Sequence, residues 1–286
     1  MFCYNLYGKL VIINIELPLL SNINDVNKFD LKVDVNFDNI IGDTISIKKD
    51  DEQYLIELGS LAIYHIDPTN NMITCKARDF ESFFSTFFNI PFSVYCLCKD
   101  ELLFHACSLL HDNKVLCLSG NKGVGKSTLT SILSSNANFC IFGDDTVQIS
   151  KGLIAKRAHN LIKQTTETVN ALNVPTLNVQ NVAGKYYSYF DTVERTATIG
   201  KIFHLVRSDE LKFKIELITS ELKKDCIFRA NIVGVEHMPY SLINKILKVK
   251  PNKEIQFYEL IIPNDLNYLI KNMNILTKEI LSICDG

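Results

Sequence analysis

One octapeptide limits the fold of this chain more than any other stretch. It is Gly120-Asn121-Lys122-Gly123-Val124-Gly125-Lys126-Ser127, and it satisfies G-x-x-x-x-G-K-[ST] in full. The apolar run KVLCL before it reads as a strand, and STLTSIL after it reads as a helix. A strand that turns through glycines into a helix aims backbone N–H groups and the positive end of the helix dipole at one point, an arrangement suited to phosphate. Glycines permit the backbone conformations this needs. Lys126 is placed to reach the terminal phosphates and the Ser127 hydroxyl to ligate Mg²⁺. Gly120, Asn121, Lys122, Gly123, Val124, Gly125 and Thr128 complete the predicted binding loop, with ATP and Mg²⁺ as its ligands. At average residue usage a random chain of this length matches the pattern on the order of once in a hundred, and the strand–helix setting lowers that further. Lys122 either adds charge toward phosphate or is a solvated loop lysine.

The next feature is NFCIFGDD, an apolar run ending in Asp144 and Asp145. Its unbroken apolar character predicts a buried strand of a parallel sheet. Ligands of open α/β sheets gather at the carboxyl ends of such strands. Two adjacent carboxylates let one serve a metal and the other accept a proton, whereas the bland alternative is an Asp-rich turn. His105 stands in ELLFHACSLL. If that segment runs beside KVLCLSG, the imidazole comes near the aspartates and can orient a carboxylate; otherwise it is a structural histidine.

Composition narrows the partners. The chain has 286 residues, 47% hydrophobic and 22% charged, which supports one large or two smaller globular domains. A formal net charge of -2 and the lack of any block of like charges give no general attraction to nucleic acid or acidic membranes. The nine cysteines are scattered, and the Cys96/Cys98 pair has neither zinc nor redox spacing. An odd count without a signal peptide predicts a reducing cytoplasm. No apolar stretch reaches 18 residues, so no membrane span is expected.

Residues 1 to about 78 alternate with period two between turn-formers, predicting a mostly antiparallel β-module. From Asp79, an expected N-cap, Phe80, Phe83, Phe84 and Phe87 recur on one helical face. The organisation expected is a β-rich module with a linking helix over 1–90 and a catalytic domain over 91–286. Within the latter, GLIAKR, KYYSYF, IGKIFHLVR and LKFKIELI read as strands. TETVNAL, SLINKILKV and a long run capped at Asn264 read as helices.

The order His105, glycine loop, Asp144-Asp145 resembles bacterial HPr kinase/phosphorylase, and is still more similar to the shorter HPr-kinase-related proteins, some found with lasso-peptide biosynthesis genes. Their pattern resembles LHAS-V…G-SG-GKSTLA…L-SDD-V; here it reads FHACSLLHDNKVLCLSGNKGVGKSTLTSILSSNANFCIFGDDTVQI. About 45 residues match specifically; YNLYGKLVIINIELPLL and QFYELIIPNDLNYLIKNMNILTKEI match in outline. The resemblance implies an α/β fold with a P-loop-containing mixed sheet of the HPr kinase type and an N-terminal β-module. It implies that Asp144 is the base toward an accepting serine hydroxyl, that Asp145 joins Ser127 at Mg²⁺, and that His105 sits against the catalytic aspartate. It extends to a homo-oligomer, since HPr kinases are hexameric. Two departures stand out: Thr128 replaces the glutamate that follows the loop serine, and the EIRGLG signature has no counterpart. HPr itself and reverse phosphorolysis are therefore not expected. Arg157, Arg195 and Lys185 are either surface or structural residues or candidates for steadying transferred charge. The function expected is transfer of the γ-phosphoryl of ATP to a hydroxyl, foremost serine of a peptide or protein. The other class is a nucleotide-binding switch or ATPase acting as an assembly partner.

Overall fold

The period-two patterning of the first 77 residues becomes a seven-stranded sheet in the computed structural model. The structure describes residues 1–286 apart from 18, 19, 21, 24–27, 136, 137, 158–160, 173–178, 183, 184, 190–195, 252 and 286. Strands β1 (Phe2–Leu6), β2 (Lys9–Ile13), β3 (Leu31–Phe37), β4 (Ile45–Asp50), β5 (Gln53–Leu58), β6 (Ala62–Asp67) and β7 (Met72–Ala77) lie in the order β1-β2-β3-β7-β6-β5-β4. The pairs β2–β3 and β3–β7 are parallel. The remaining pairs are antiparallel, as the sequence predicts for most of the module. Alternate side chains such as Val11, Ile13, Tyr64 and Ile66 are buried, which fixes the register, because a one-residue slip would turn them to solvent.

Helix α1 (Phe80–Phe87) starts where Asp79 Oδ1 accepts from Ser82 N at 2.7 Å. Phe83 and Phe87 are buried and stack at 5.1 Å, while Phe80 and Phe84 are only partly covered. After α2 (Ile90–Cys98) the chain leaves this unit and returns twice. Its first compact unit comprises Met1–Leu103, Gln148–Lys151 and Ile232–Lys250. Ser93 Oγ donates to Val233 O at 2.8 Å, holding the last of these segments against α2.

The second unit comprises Phe104–Val147, Gly152–Asn231 and Pro251–Gly286. Two strands, β8 (Leu102–Phe104) and β12 (Val147–Ser150), straddle the division. The unit contains β9 (Ala106–His111), β10 (Lys114–Ser119), α3 (Lys126–Ser134), β11 (Cys140–Gly143), β13 (Ile154–Arg157), β14 (Leu161–Gln164), α4 (Thr166–Leu172), β15 (Val179–Val182) and β16 (Lys185–Tyr189). It continues with β17 (Thr196–Ser208), β18 (Lys214–Leu217), α5 (Glu221–Ala230), β19 (Gln256–Pro263), α7 (Leu266–Lys271) and α8 (Met273–Asp285), while α6 (Tyr240–Lys248) belongs to the first unit. Its main sheet runs β11-β9-β10-β17, and β17 continues to β19 and then β18. The pairs β10–β17 and β17–β19 are parallel; β9–β10, β9–β11 and β18–β19 are antiparallel. Beside them β14-β16-β15 form a small antiparallel sheet.

Two expectations need correcting. The strand before Asp144 pairs antiparallel with β9, not within a parallel ladder. It nevertheless runs in the direction of β10, because two antiparallel steps separate them, so β10-α3-β11 is a crossover unit with β9 inserted between its strands. A four-residue strand is too short for apolar continuity to report its neighbour. The last helical run is capped by Asp265, whose Oδ1 accepts from Tyr268 N at 3.0 Å, rather than by Asn264. It also breaks at Asn272 into α7 and α8.

Leu129, Ile132 and Leu133 of α3 pack with Leu109, Leu116, Leu118, Phe203, Leu205 and Leu260 of the sheet. Burial of this apolar face holds the helix, and thus the loop before it, in place. All nine cysteines are free. Among the described residues no helix is long and apolar enough to cross a membrane.

Candidate functional site

The glycine loop lies at the carboxyl end of β10 and feeds directly into α3. Gly120 and Gly125 have φ of 136° and 99°, a region L side chains avoid. Space forbids a side chain as well: a Cβ on Gly120 would stand 2.9 Å from Leu205 O, and one on Gly125 would stand 2.5 Å from Arg207 Nη2. Lys126 opens the helix and turns back over the loop, its Nζ donating to Gly120 O at 2.8 Å and to Asn121 O at 3.2 Å. Burial lowers its pKa. Asn121, Lys122 and Gly123 are exposed at the tip, whereas Val124 joins the core. Thr128 pairs its hydroxyl with that of Thr168 in α4 at 2.9 Å.

Asn231 fastens the start of the loop. Its Oδ1 accepts from Gly120 N at 3.2 Å, its Nδ2 donates to Ile227 O at 2.7 Å, and its carbonyl accepts from His105 N at 2.6 Å. One residue thus fixes both the loop and the break between β8 and β9 where His105 sits.

The adjacent aspartates occupy opposite environments. Asp144 is 3% exposed. Its Oδ1 accepts from Ser127 Oγ at 2.9 Å and from Cys107 Sγ at 2.9 Å, and its Oδ2 accepts from Lys163 N at 2.7 Å. Burial, and then the neighbouring Asp145, raise its pKa. Burial and Asp144 likewise hold the Cys107 thiol well above its ordinary pKa, so it remains a protonated donor. Asp145 adopts φ of 65°, and Thr146 N closes the turn onto Asp144 O at 2.7 Å. This left-handed residue, tolerated by Asp, directs the second side chain elsewhere. The Asp145 side chain is 47% exposed, and His105 Nδ1 lies 3.5 Å from its Oδ1. Burial, with Lys126 adding to it, lowers the His105 pKa, so the imidazole is neutral near pH 7.

The structure therefore brings Lys126, Ser127, Asp144, Asp145 and His105 together, but divides the acids opposite to the assignment the resemblance implies. The loop serine meets Asp144, and the histidine meets Asp145. Of the basic candidates, Arg157 lies on β13, its Cβ 3.8 Å from where a Cβ on Gly143 would stand. Arg195 and the Lys185 side chain fall outside the described residues. Sequence reasoning passed over Arg207, whose guanidinium borders Gly125 and donates to Pro263 O. A usable signal existed, since IGKIFHLVR is a predicted strand ending on that arginine. Cys107, Lys163 and Asn231 carry no such signal; they matter through where the fold brings them.

The donor set suits a metal-bound triphosphate. Lys126, Arg207 and the first amides of α3 present positive charge, and Ser127 with Asp144 presents the hard oxygen ligands Mg²⁺ takes. Neither a protein-family model nor a curated protein matches this sequence. Among solved structures, the HPr(Ser) kinase/phosphatase from Coxiella burnetii is similar at 15% identity, covering 64% of this chain and 99% of that one. The TM-score is 0.32.

Proposed function

We propose that this chain is a kinase that transfers the γ-phosphoryl group of ATP to a hydroxyl, foremost that of a serine in a peptide or protein. The observation that carries the reading is the 2.9 Å bond from Ser127 Oγ to Asp144 Oδ1, with a second, exposed carboxylate one residue on. A buried acid tied to the loop serine is a metal acid by its surroundings. An exposed acid beside a neutral imidazole is free to receive a proton.

The roles follow from these positions. Backbone amides at the start of α3 and the Lys126 ammonium hold the phosphate tail, and Arg207 adds charge from the end of β17. Ser127 and Asp144 would hold Mg²⁺, which would supply charge neutralisation to the triphosphate. Asp145 takes the proton of the incoming hydroxyl at its carboxylate, and His105 keeps that carboxylate aimed. Asn231 and Cys107 position the loop and Asp144, respectively. Transfer of this kind rests on alignment and charge compensation rather than on covalent chemistry by the protein.

The test is the fate of labelled γ-phosphate with a serine-containing peptide library. The expected result is Mg²⁺-dependent label on serine, lost in Asp145→Asn while ATP binding persists. Release as inorganic phosphate at the same rate with or without peptide would overturn the kinase reading in favour of a switch or ATPase.

A further inference from the structure

At the far end of β9 from His105, six residues along and roughly 20 Å away at strand rise, a second cluster of polar groups faces solvent. His111 ends β9, Asp112 forms the tight turn to β10 with φ of 46°, and Asp285 ends α8. The His111 ring leans on Phe139 with centroids 5.3 Å apart, so its orientation is set by packing. Its Nδ1 lies 2.9 Å from Asn138 O, and its Nε2 lies 3.0 Å from Asp285 Oδ1 and 3.7 Å from Asp112 Oδ2.

These distances constrain the ring chemically. A carbonyl oxygen only accepts, so Nδ1 must carry the proton. In a neutral imidazole Nε2 is then a bare lone pair, and it faces two carboxylates that are themselves only acceptors. The cluster needs a cation at Nε2, either a second proton on the ring or a metal ion. The backbone-anchored Nδ1–H is the outer-shell partner that metal-ligating histidines use. The three ligand atoms lie within 4.8 Å of one another. The 3.0 and 3.7 Å separations from Nε2 bracket the roughly 3.3 Å edge of a tetrahedron with about 2.0 Å bonds. The carboxylates are open to entry, at 63% and 86% exposed, while the ring is not.

We infer that His111, Asp112 and Asp285 bind a divalent transition cation of the zinc class, with one position left for water. One imidazole with two carboxylates suits such an ion better than Mg²⁺, which favours oxygen ligands alone. The ion ties the β9–β10 turn to the last turn of α8. It is separate from the Mg²⁺ proposed at Ser127 and Asp144 and does not depend on the kinase reading.

The experiment is calorimetric titration of Zn²⁺ into the full chain under excess Mg²⁺, beside His111→Gln and the double variant Asp112→Asn/Asp285→Asn. The double variant changes only exposed side chains, so its fold is not at risk. Losing one outer-shell partner typically weakens binding by about 10–100-fold, so removing ligands should cost at least about tenfold in each variant. Cysteines can also take Zn²⁺, so a second arm follows the histidine ring protons by NMR with paramagnetic Co²⁺. Broadening is expected first at His111 in the wild type, and not in the double variant. Unchanged affinity in both variants, or broadening that spares His111, would show that only a proton occupies the cluster and would overturn the inference.

Discussion

Removing the charge of Asp144 should abolish turnover and yet leave the protein as stable or more so. Three donors meet this carboxylate, from Ser127, Cys107 and Lys163. Each bond to a charged acceptor is worth about 1.5–3 kcal/mol. Against them stands the cost of taking the carboxylate out of water, several kcal/mol per ion even after relaxation, with Asp145 adjacent. Burial, and then Asp145, raise the Asp144 pKa despite the three donors, which puts the balance on the opposing side. The sign follows: the folded unit binds the Asp144 proton more tightly than the unfolded chain does. This group's contribution is therefore fully present below the unfolded value of about 3.9 and is lost as pH rises through the higher native value. Wherever it is ionised in the folded unit, Asp144 is a net burden. In Asp144→Asn the amide oxygen can face Lys163 N–H, which cannot turn, while the Ser127 hydroxyl and Cys107 thiol rotate to accept from Nδ2. A gain on the order of 1 kcal/mol is expected, which raises Tm by about 2–4 °C for a folding unit of this size. Thermal melts at pH 7 without added metal, together with labelled-phosphate transfer, measure both arms. A Tm lowered by more than about 2 °C would mean that the three donors outweigh burial, and near-normal transfer would remove Asp144 from the metal site.

The other predictions act on neighbouring groups. Gly125→Ala forces a left-handed alanine against Arg207 Nη2; backbone strain of about 1–3 kcal/mol should lower Tm, and ATP affinity measured by calorimetry should fall with it. Burial holds the His105 pKa down, so its contribution is present above the unfolded value of about 6.5 and is lost as pH falls through the lower native value. Melts from pH 7.5 to 5 should therefore show wild-type stability declining, and His105→Gln should flatten that decline while transfer drops partially. Arg207→Ala should reduce kcat by about tenfold or more with Tm little changed, and Arg207→Lys should recover only part, since the guanidinium also bonds Pro263 O.

The loop was legible because its proposed function and its local structure need the same residues: glycines where φ is positive, a lysine and a serine where the helix begins. The module over 1–77 was legible because burial on one face imposes period two, strand by strand. The Asp79 cap followed from the preference for a short acceptor ahead of a helix. Other features were not legible. That β9 lies between β10 and β11 is decided by pairing across the sheet, which short apolar runs do not encode. The split of Ile232–Lys250 from the segments around it, and the reach of Asn231 to Gly120 across 111 residues of chain, depend on long-range closure. The different fates of Asp144 and Asp145 turn on one dihedral angle.

That dihedral angle links the fold to the proposed chemistry. Successive residues of a strand point to opposite faces, so two aspartates continuing β11 would have placed one carboxylate near the loop and the other across the sheet. Ending the strand at Gly143 and turning Asp145 left-handed keeps both on the loop side while exposing only one to solvent. A metal acid gains from burial, which strengthens its field and excludes competing water; a base must remain open to the substrate whose proton it takes. Asp tolerates φ of 65° better than a branched residue would, and its short side chain keeps the carboxylate within reach of His105. Asp145→Glu therefore tests the turn and the role together: the acid is retained but carried one methylene further. Glu suits the left-handed turn less well than Asp, so a small fall in Tm is expected, and transfer should drop by about a hundredfold, the cost typical of a 1 Å misplacement. Wild-type transfer in that variant would show that the position of the second carboxylate does not matter.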